Sequence, residues 1–128
     1  MQQKRIFSKK LYFLYWIKRI DSRKLCSFGT NINSGAYFAG PPKLPHGPNG
    51  IIVGHDCVIG SNVTIFQQVT IMHGGGKIGN NVIIGAGAKV LPGVKIGDNC
   101  KIGANAVVVE DVPPHSTVVL QKPRIITK

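Results

Sequence analysis

Residues 78–108 read IGNNVI-IGAGAK-VLPGVK-IGDNCK-IGANAV-V, so that isoleucine or valine returns at every sixth position. The same spacing runs through most of the chain, with one nine-residue step after Leu44 and one seven-residue step after Ile71. We name this series the core positions: Ile32, Phe38, Leu44, Val53, Ile59, Ile65, Ile71, Ile78, Ile84, Val90, Ile96, Ile102 and Val108. A period of six differs from that of an α-helix and of a single strand, and it is typical of short strands joined by sharp corners.

The repeat predicts two inward-pointing positions in each period. One is the core position, and the other lies four residues later, where small or β-branched side chains recur. These second positions are Ala36, Cys57, Val63, Val69, Ala88, Val94, Cys100, Ala106 and Val112. Glycine directly follows several core positions, as at Gly60 and Gly79, and we expect it to make tight corners there. Because three strands complete one triangular coil, the thirteen core positions predict a little over four coils of an all-β solenoid, a parallel β-helix.

Three parts of the chain are predicted from these patterns. Residues 1–30 form a basic segment, in which a short helix over residues 8–19 covers the first coil with its apolar side. Residues 31–112 form the β-helix. Residues 113–128 form a C-terminal tail, because Pro113 and Pro114 prevent further hydrogen bonding in the ladder and end the coil.

Length and composition limit the class of protein. A chain of 128 residues with 43% apolar residues is long enough for one domain with a core and too apolar for intrinsic disorder. The apolar run 11–17 is too short to span a membrane, and no signal-peptide cleavage site follows it. The odd number of cysteines, three, favours reduced thiols and a cytoplasmic location.

The net charge of +11 lies mostly in residues 1–43, where nine bases accompany the single acid Asp21. Two interpretations stay open for this segment: a cap on the solenoid, and an interfacial helix that touches anionic lipid at the inner face of the membrane through residues 4–24. A non-catalytic module that binds lipid or nucleic acid is the alternative from another functional class. We expect no nucleic acid as a partner, because aromatic and basic residues alternate only locally, around Trp16.

Four stretches carry a resemblance to a known family. They are residues 44–54, LPHGPNGIIVG; residues 62–71, NVTIFQQVTI; residues 84–91, IGAGAKVL; and residues 112–116, VPPHS. In order and spacing they are similar to the serine O-acetyltransferases and to the short relatives that O-acetylate sugars of surface polysaccharides. Both groups are hexapeptide-repeat acyltransferases. The resemblance implies a left-handed coil, a homotrimer, acetyl-CoA as the acetyl donor and direct transfer of the acetyl group to a hydroxyl group.

Two departures from the serine acetyltransferases bear on the acceptor. Their catalytic histidine follows an aspartate, and a second aspartate fifteen residues upstream orients the imidazole, whereas Pro45 and Asn31 stand at these positions here. The family's loop with an Asp-Arg-His segment, which helps bind the serine carboxylate, is reduced to residues 72–77. We therefore expect a sugar hydroxyl of a surface polysaccharide or its precursor as the acceptor, with free serine as the alternative.

His46 stands at the position of the family's catalytic histidine. A neutral imidazole can remove the proton of an alcohol near pH 7, and the nine-residue step holds this side chain away from the wall of the coil. Asn31 is predicted to accept a hydrogen bond from the imidazole. His73 shares a corner with His55 rather than with His46, so we expect His73 to approach His46 only from a neighbouring subunit.

The acetyl-CoA that the resemblance implies is expected along a line of small residues on adjacent coils. The residues predicted to receive the pantetheine arm through backbone amides are Gly85, Ala86, Gly87, Ala88, Gly103 and Ala104. The candidates for its phosphates are Lys89, Lys101, Lys122 and Arg124. No metal is expected, because the paired histidines of the zinc-dependent carbonic anhydrases on this fold are absent.

Overall fold

The computed structural model describes residues 26–29 and 35–128, and in these ranges the chain consists of short strands without a helix. The thirteen strands are β1 Ser27–Phe28, β2 Tyr37–Phe38, β3 Ile52–Val53, β4 Val58–Ile59, β5 Thr64–Ile65, β6 Thr70–Ile71, β7 Lys77–Ile78, β8 Ile83–Ile84, β9 Lys89–Val90, β10 Lys95–Ile96, β11 Lys101–Ile102, β12 Val107–Val108 and β13 Thr117–Val118. Within the described ranges there is accordingly no helix that could cross a membrane. The predicted N-terminal helix, Asn31 and Ile32 lie outside the described residues.

The strands form three parallel sheets that the chain visits in rotation. The first sheet has the order β1-β3-β6-β9-β12, the second β2-β4-β7-β10, and the third β5-β8-β11-β13. Isolated bridges extend the third sheet by Lys43, opposite Thr64, and the second by Val112, opposite Ile96. One strand from each sheet completes a triangular coil. The predicted parallel β-solenoid is therefore confirmed.

Each strand places its second residue inside the solenoid and its first residue outside. In β3 to β12 the second residue is a core position and is buried, whereas the first residue is exposed or half-buried. Of the predicted second inward positions, all but the half-buried Ala36 are buried, including the cysteines Cys57 and Cys100, and Val82 joins them. The Cys57 Sγ donates to the Met72 carbonyl (3.2 Å), and burial raises the pKa of this thiol. The two cysteines therefore belong to the core.

The glycines that follow core positions are required for a different reason from the predicted one. Gly60 does not adopt a left-handed conformation; this conformation falls two residues later, on Asn62 (φ 57°). A Cβ atom on Gly60 would lie 2.5 Å from the carbonyl oxygen of Gly79 in the next coil, and one on Gly97 would lie 2.6 Å from the nitrogen of Pro114. Close stacking of the coils therefore excludes side chains here, while asparagine tolerates the left-handed turn.

The solenoid extends beyond residues 31–112 at both ends. β1 pairs with β3, and β13 pairs with β11 although Pro113 and Pro114 precede it. In earlier coils the N–H at the position of Pro113 donates to the next coil, as Gly79 N does to Ile96 O (2.8 Å). Pro113 belongs to the last level of the second sheet, so the described residues provide no acceptor in a next coil for an N–H at this position. The missing N–H of proline therefore costs no hydrogen bond here. The prolines thus fit the final corner without ending the ladder.

Candidate active site

The turns that join the third sheet to the first sheet stack on one another and carry most of the predicted site. We name them the third corner: residues 45–51, 66–69, 85–88 and 103–106. Backbone hydrogen bonds connect successive levels, from Gln68 N to Asn49 O (2.9 Å) and from Gly87 N to Gln67 O (3.0 Å). The third corner therefore aligns His46 with the predicted pantetheine residues on consecutive coils.

His46 lies in the long turn of the third corner and is exposed. Gly47 N donates to Leu44 O (3.0 Å), and the Asn49 side-chain amide donates to His46 O (3.1 Å). Gly47 adopts the left-handed conformation that the turn requires (φ 72°), which glycine reaches without a steric penalty. The three additional residues of the nine-residue step thus form an ordered turn that holds the imidazole outside the wall.

The partner of the His46 imidazole is Gln67, one coil further along the third corner. The His46 Nδ1 lies 2.8 Å from Gln67 Oε1, and the Phe66 ring contacts the imidazole edge-on, with centroids 5.5 Å apart. An amide oxygen only accepts hydrogen bonds, so this contact fits a proton on Nδ1, and in the neutral ring of that tautomer Nε2 has the lone pair. This arrangement suits a base that acts through Nε2.

The sequence does not predict this role of Gln67, and the predicted partner of His46, Asn31, lies outside the described residues. A signal was nevertheless present in the hexad IFQQVT that starts at Ile65. Here Phe66 and Gln67 replace the glycine and alanine of the hexads that start at Ile84 and Ile102. Among the regular turns 66–69, 85–88 and 103–106, large side chains thus stand at these two positions only in the turn one coil after the long turn.

His73 lies at a different corner, where the chain passes from the first sheet to the second. Its ring stacks on that of His55, with centroids 5.4 Å apart and an interplanar angle of 14°, as the hexad spacing predicts. Next to this pair, the Asp56 carboxylate accepts a hydrogen bond from Gly74 N (2.8 Å), which holds the pKa of Asp56 below its ordinary value. Within the described part of the chain, no group of three side chains suits a metal ion.

The small residues of the third corner fit the predicted pantetheine arm only in part. The amides of Gly85, Gly87, Ala88 and Gly103 donate to carbonyls of the solenoid, as Gly85 N does to Ile102 O (2.8 Å). A Cβ atom on Gly85 would lie 2.6 Å from Ala104 N, so coil stacking alone requires this glycine. Ala86 N and Ala104 N make no hydrogen bond within the described residues, and both alanines reach the surface. These two amides are the ones that remain for a ligand.

The predicted phosphate-binding side chains differ in their surroundings. Lys89 and Lys101 lie on strands that border the third corner, and Lys122 and Arg124 lie in the exposed segment after β13. Lys101 is exposed, whereas the Lys89 ammonium donates to Gln68 O (2.9 Å). Lys101 therefore has an unengaged ammonium beside the corner, while Lys89 must exchange its present partner to reach a phosphate.

The third corner is convex, as any corner of a triangular prism is, so one chain supplies a single wall of a substrate groove. Two grooves lie elsewhere on the described residues. One of 510 Å³ runs along the second sheet beside Lys77 and Lys95, and one of 270 Å³ lies at the C-terminal end beside Val107. Neither includes His46, so a closed site at the third corner requires a second wall.

Comparisons with known proteins match both the repeats and the surroundings of His46. The family model for bacterial transferase hexapeptides (six repeats) matches residues 75–110, and that for the hexapeptide repeat of succinyl-transferase matches residues 47–67. A serine acetyltransferase of Staphylococcus aureus (strain Mu50 / ATCC 700699) is 48% identical over 99 residues, which cover 71% of this chain and 46% of that protein. A serine acetyltransferase of Staphylococcus xylosus is 43% identical over 123 residues, covering 89% and 55%.

A solved serine acetyltransferase in complex with CoA superimposes with a TM-score of 0.69 and 35% identity, covering 86% of this chain and 45% of that one. The chain therefore spans about half the length of the curated relatives that it matches. The repeats, the stacked corners and these matches show a hexapeptide-repeat solenoid that resembles that of the serine acetyltransferases.

Proposed function

We propose that this chain transfers the acetyl group of acetyl-CoA to a hydroxyl group at the third corner, with His46 as the general base. The observation that carries the proposal is the hydrogen bond between His46 Nδ1 and Gln67 Oε1 (2.8 Å). A proton on Nδ1 makes Nε2 the basic nitrogen of an exposed side chain, and the free amides of Ala86 and Ala104 lie on the same corner, two and three coils further along. The solved relative in complex with CoA supports acetyl-CoA as the donor.

In the proposed reaction, His46 Nε2 removes the proton of the acceptor hydroxyl while its oxygen attacks the thioester carbonyl carbon. A backbone N–H stabilises the oxyanion of the tetrahedral intermediate. The intermediate collapses by breaking the carbon–sulfur bond, and the imidazolium returns the proton to the thiolate of CoA. The proposal includes no acyl-enzyme, because Cys57 and Cys100 are buried and their thiols donate to backbone carbonyls.

Serine is the first candidate acceptor, because the matched relatives are serine acetyltransferases. These comparisons do not support the sugar hydroxyl that the sequence departures predict. One observation keeps a sugar as the second candidate: the described contacts of His46 are neutral, namely Phe66, Gln67 and Asn49. The ammonium and carboxylate of free serine need charged partners, whereas a sugar hydroxyl does not.

A homotrimer is part of the proposal, because the convex third corner needs a second wall and an adjacent subunit of the same chain can provide it. His73 of such a neighbour remains the candidate to approach His46.

We further propose a cytoplasmic location. Contact of residues 4–24 with anionic lipid stays a prediction, which salt-sensitive retention on anionic vesicles would support.

The test replaces His46 by asparagine and uses His115→Asn as the matched control. His115 lies at the final corner with φ 60°, a conformation that asparagine tolerates. We expect His46→Asn to lower kcat/KM by at least about 100-fold, the usual contribution of a general base, and His115→Asn to leave it unchanged. Release of free CoA is measured against serine, nucleotide sugars and oligosaccharides. Full activity of His46→Asn with its best acceptor would contradict the proposal.

A further inference from the structure

We propose that Gln67 is the positioning residue of His46: its side-chain oxygen selects the imidazole tautomer with the proton on Nδ1 and thereby makes Nε2 the base. The inference rests on the proposed function of His46. It gives a neutral amide the role of orienting the imidazole, which in the serine acetyltransferases belongs to an aspartate at the position of Asn31.

The geometry holds Gln67 firmly enough to orient its partner. Its backbone carbonyl accepts a hydrogen bond from Gly87 N (3.0 Å) in the next coil, and the adjacent Gln68 N donates to Asn49 O (2.9 Å) in the long turn. The segment therefore connects the turn that carries His46 to the regular part of the solenoid. Gln67 is half-buried, and Phe66 beside it closes one side of the imidazole. The amide and the ring together fix the plane of His46.

The neutral amide has a chemical consequence for the base. A carboxylate beside an imidazole stabilises its protonated form, whereas the dipole of an amide does so far less. Among the described residues, no carboxylate contacts His46. The charged groups on the neighbouring elements are Lys43, which precedes the turn, and Lys89, whose ammonium donates to Gln68 O (2.9 Å). Gln67 therefore orients the imidazole without supplying a negative charge.

Two substitutions test the inference through readouts that a merely structural role would not change. Gln67→Glu places a carboxylate at Nδ1, so the acid limb of the kcat/KM profile should move to higher pH by roughly one unit or more. Gln68→Glu adds the same charge one residue away and is the matched control, with a much smaller expected shift. Gln67→Ala should lower kcat at least about tenfold with an unchanged KM for acetyl-CoA, because the imidazole loses its tautomer preference.

A measurement without substrate separates this inference from the proposed function. In the full chain at neutral pH, the nitrogen shifts of His46 should report a proton on Nδ1, and Gln67→Ala should return the ring to the Nε2–H tautomer that free histidine prefers. An Nε2–H tautomer in the unsubstituted protein would overturn the inference. An unmoved acid limb in Gln67→Glu would also overturn it, even where His46→Asn is inactive. Full activity of His46→Asn would instead overturn the proposed function, while the tautomer measurement would still decide the role of Gln67.

Discussion

At the corner between the second and third sheets, glycine and asparagine meet two different requirements. Gly60 has no space for a side chain, because the next coil passes over it, whereas Asn62 adopts the left-handed conformation that turns the chain. A column of such asparagines, at Asn62, Asn81 and Asn99, runs along the corner between the second and third sheets. Steric exclusion and backbone conformation are therefore separable properties of neighbouring residues.

Substitution of Gly60 by alanine tests the steric requirement. The added Cβ atom would meet the Gly79 carbonyl oxygen at 2.5 Å, which forces a backbone shift, so we expect a loss of about 2–3 kcal/mol in the free energy of unfolding. At Gly40, on the same corner, the nearest atom to an added Cβ is Ser61 Cβ at 3.7 Å. Gly40→Ala should change stability by less than about 1 kcal/mol. Urea unfolding measures both, and equal losses would contradict the steric explanation.

Residue spacing alone predicts much of the core and little of the contact between His46 and Gln67. Ile78 and Ile84 are predicted correctly because every coil repeats the same path, so one period assigns all inward positions. The His46–Gln67 contact depends on the conformation of a turn with three additional residues, which no other coil repeats. The sequence does not predict the strand Thr117–Val118, because Pro113 and Pro114 lack the N–H that continues a ladder. At the last coil no N–H is required at these positions, so the chain still forms the strand.

At the scale of elements, the seven-residue step after Ile71 shows how an irregular turn is held in place. The additional residue falls in the glycine run 74–76, where Gly74 N donates to the Asp56 carboxylate of the preceding coil (2.8 Å). This hydrogen bond lowers the pKa of Asp56 below 3.8, and the nearby imidazole of His55 adds to the effect. The carboxylate therefore fixes the loop most strongly in its charged form.

The pH dependence of stability tests this contact. Because the folded pKa of Asp56 is lower than the unfolded value of 3.8, its stabilisation is complete above the unfolded pKa and is lost as the pH falls through the folded pKa. Asp56→Asn should therefore lower Tm at pH 6, and the difference from the unsubstituted protein should shrink as the pH falls below about 4. Glu110→Gln, at an exposed carboxylate, is the control. A Tm difference that is constant from pH 6 to the acid limit would contradict the role of the charge.

At the scale of the whole molecule, the three corners have different chemical character although they repeat the same backbone path. The corner between the second and third sheets carries Asn62, Asn81 and Asn99, and the corner between the first and second sheets carries the stacked His55 and His73. The third corner carries His46 and, on the coils that follow Gln67, only small residues. The repeat thus supplies one scaffold, and a substrate groove is expected along only one of its edges.

A bulky side chain on the third corner tests that expectation. Ala86 lies two residues after a core position and reaches the surface, so Ala86→Tyr should leave the core and Tm nearly unchanged. It should raise KM for acetyl-CoA at least about tenfold, a loss of about 1.4 kcal/mol in binding, because the ring covers the free amide of Ala86. Glu110 lies at the equivalent position on another corner, so Glu110→Tyr should leave KM unchanged. An increase in KM shared by both variants would indicate a general surface effect, and no increase in Ala86→Tyr would place acetyl-CoA away from the third corner.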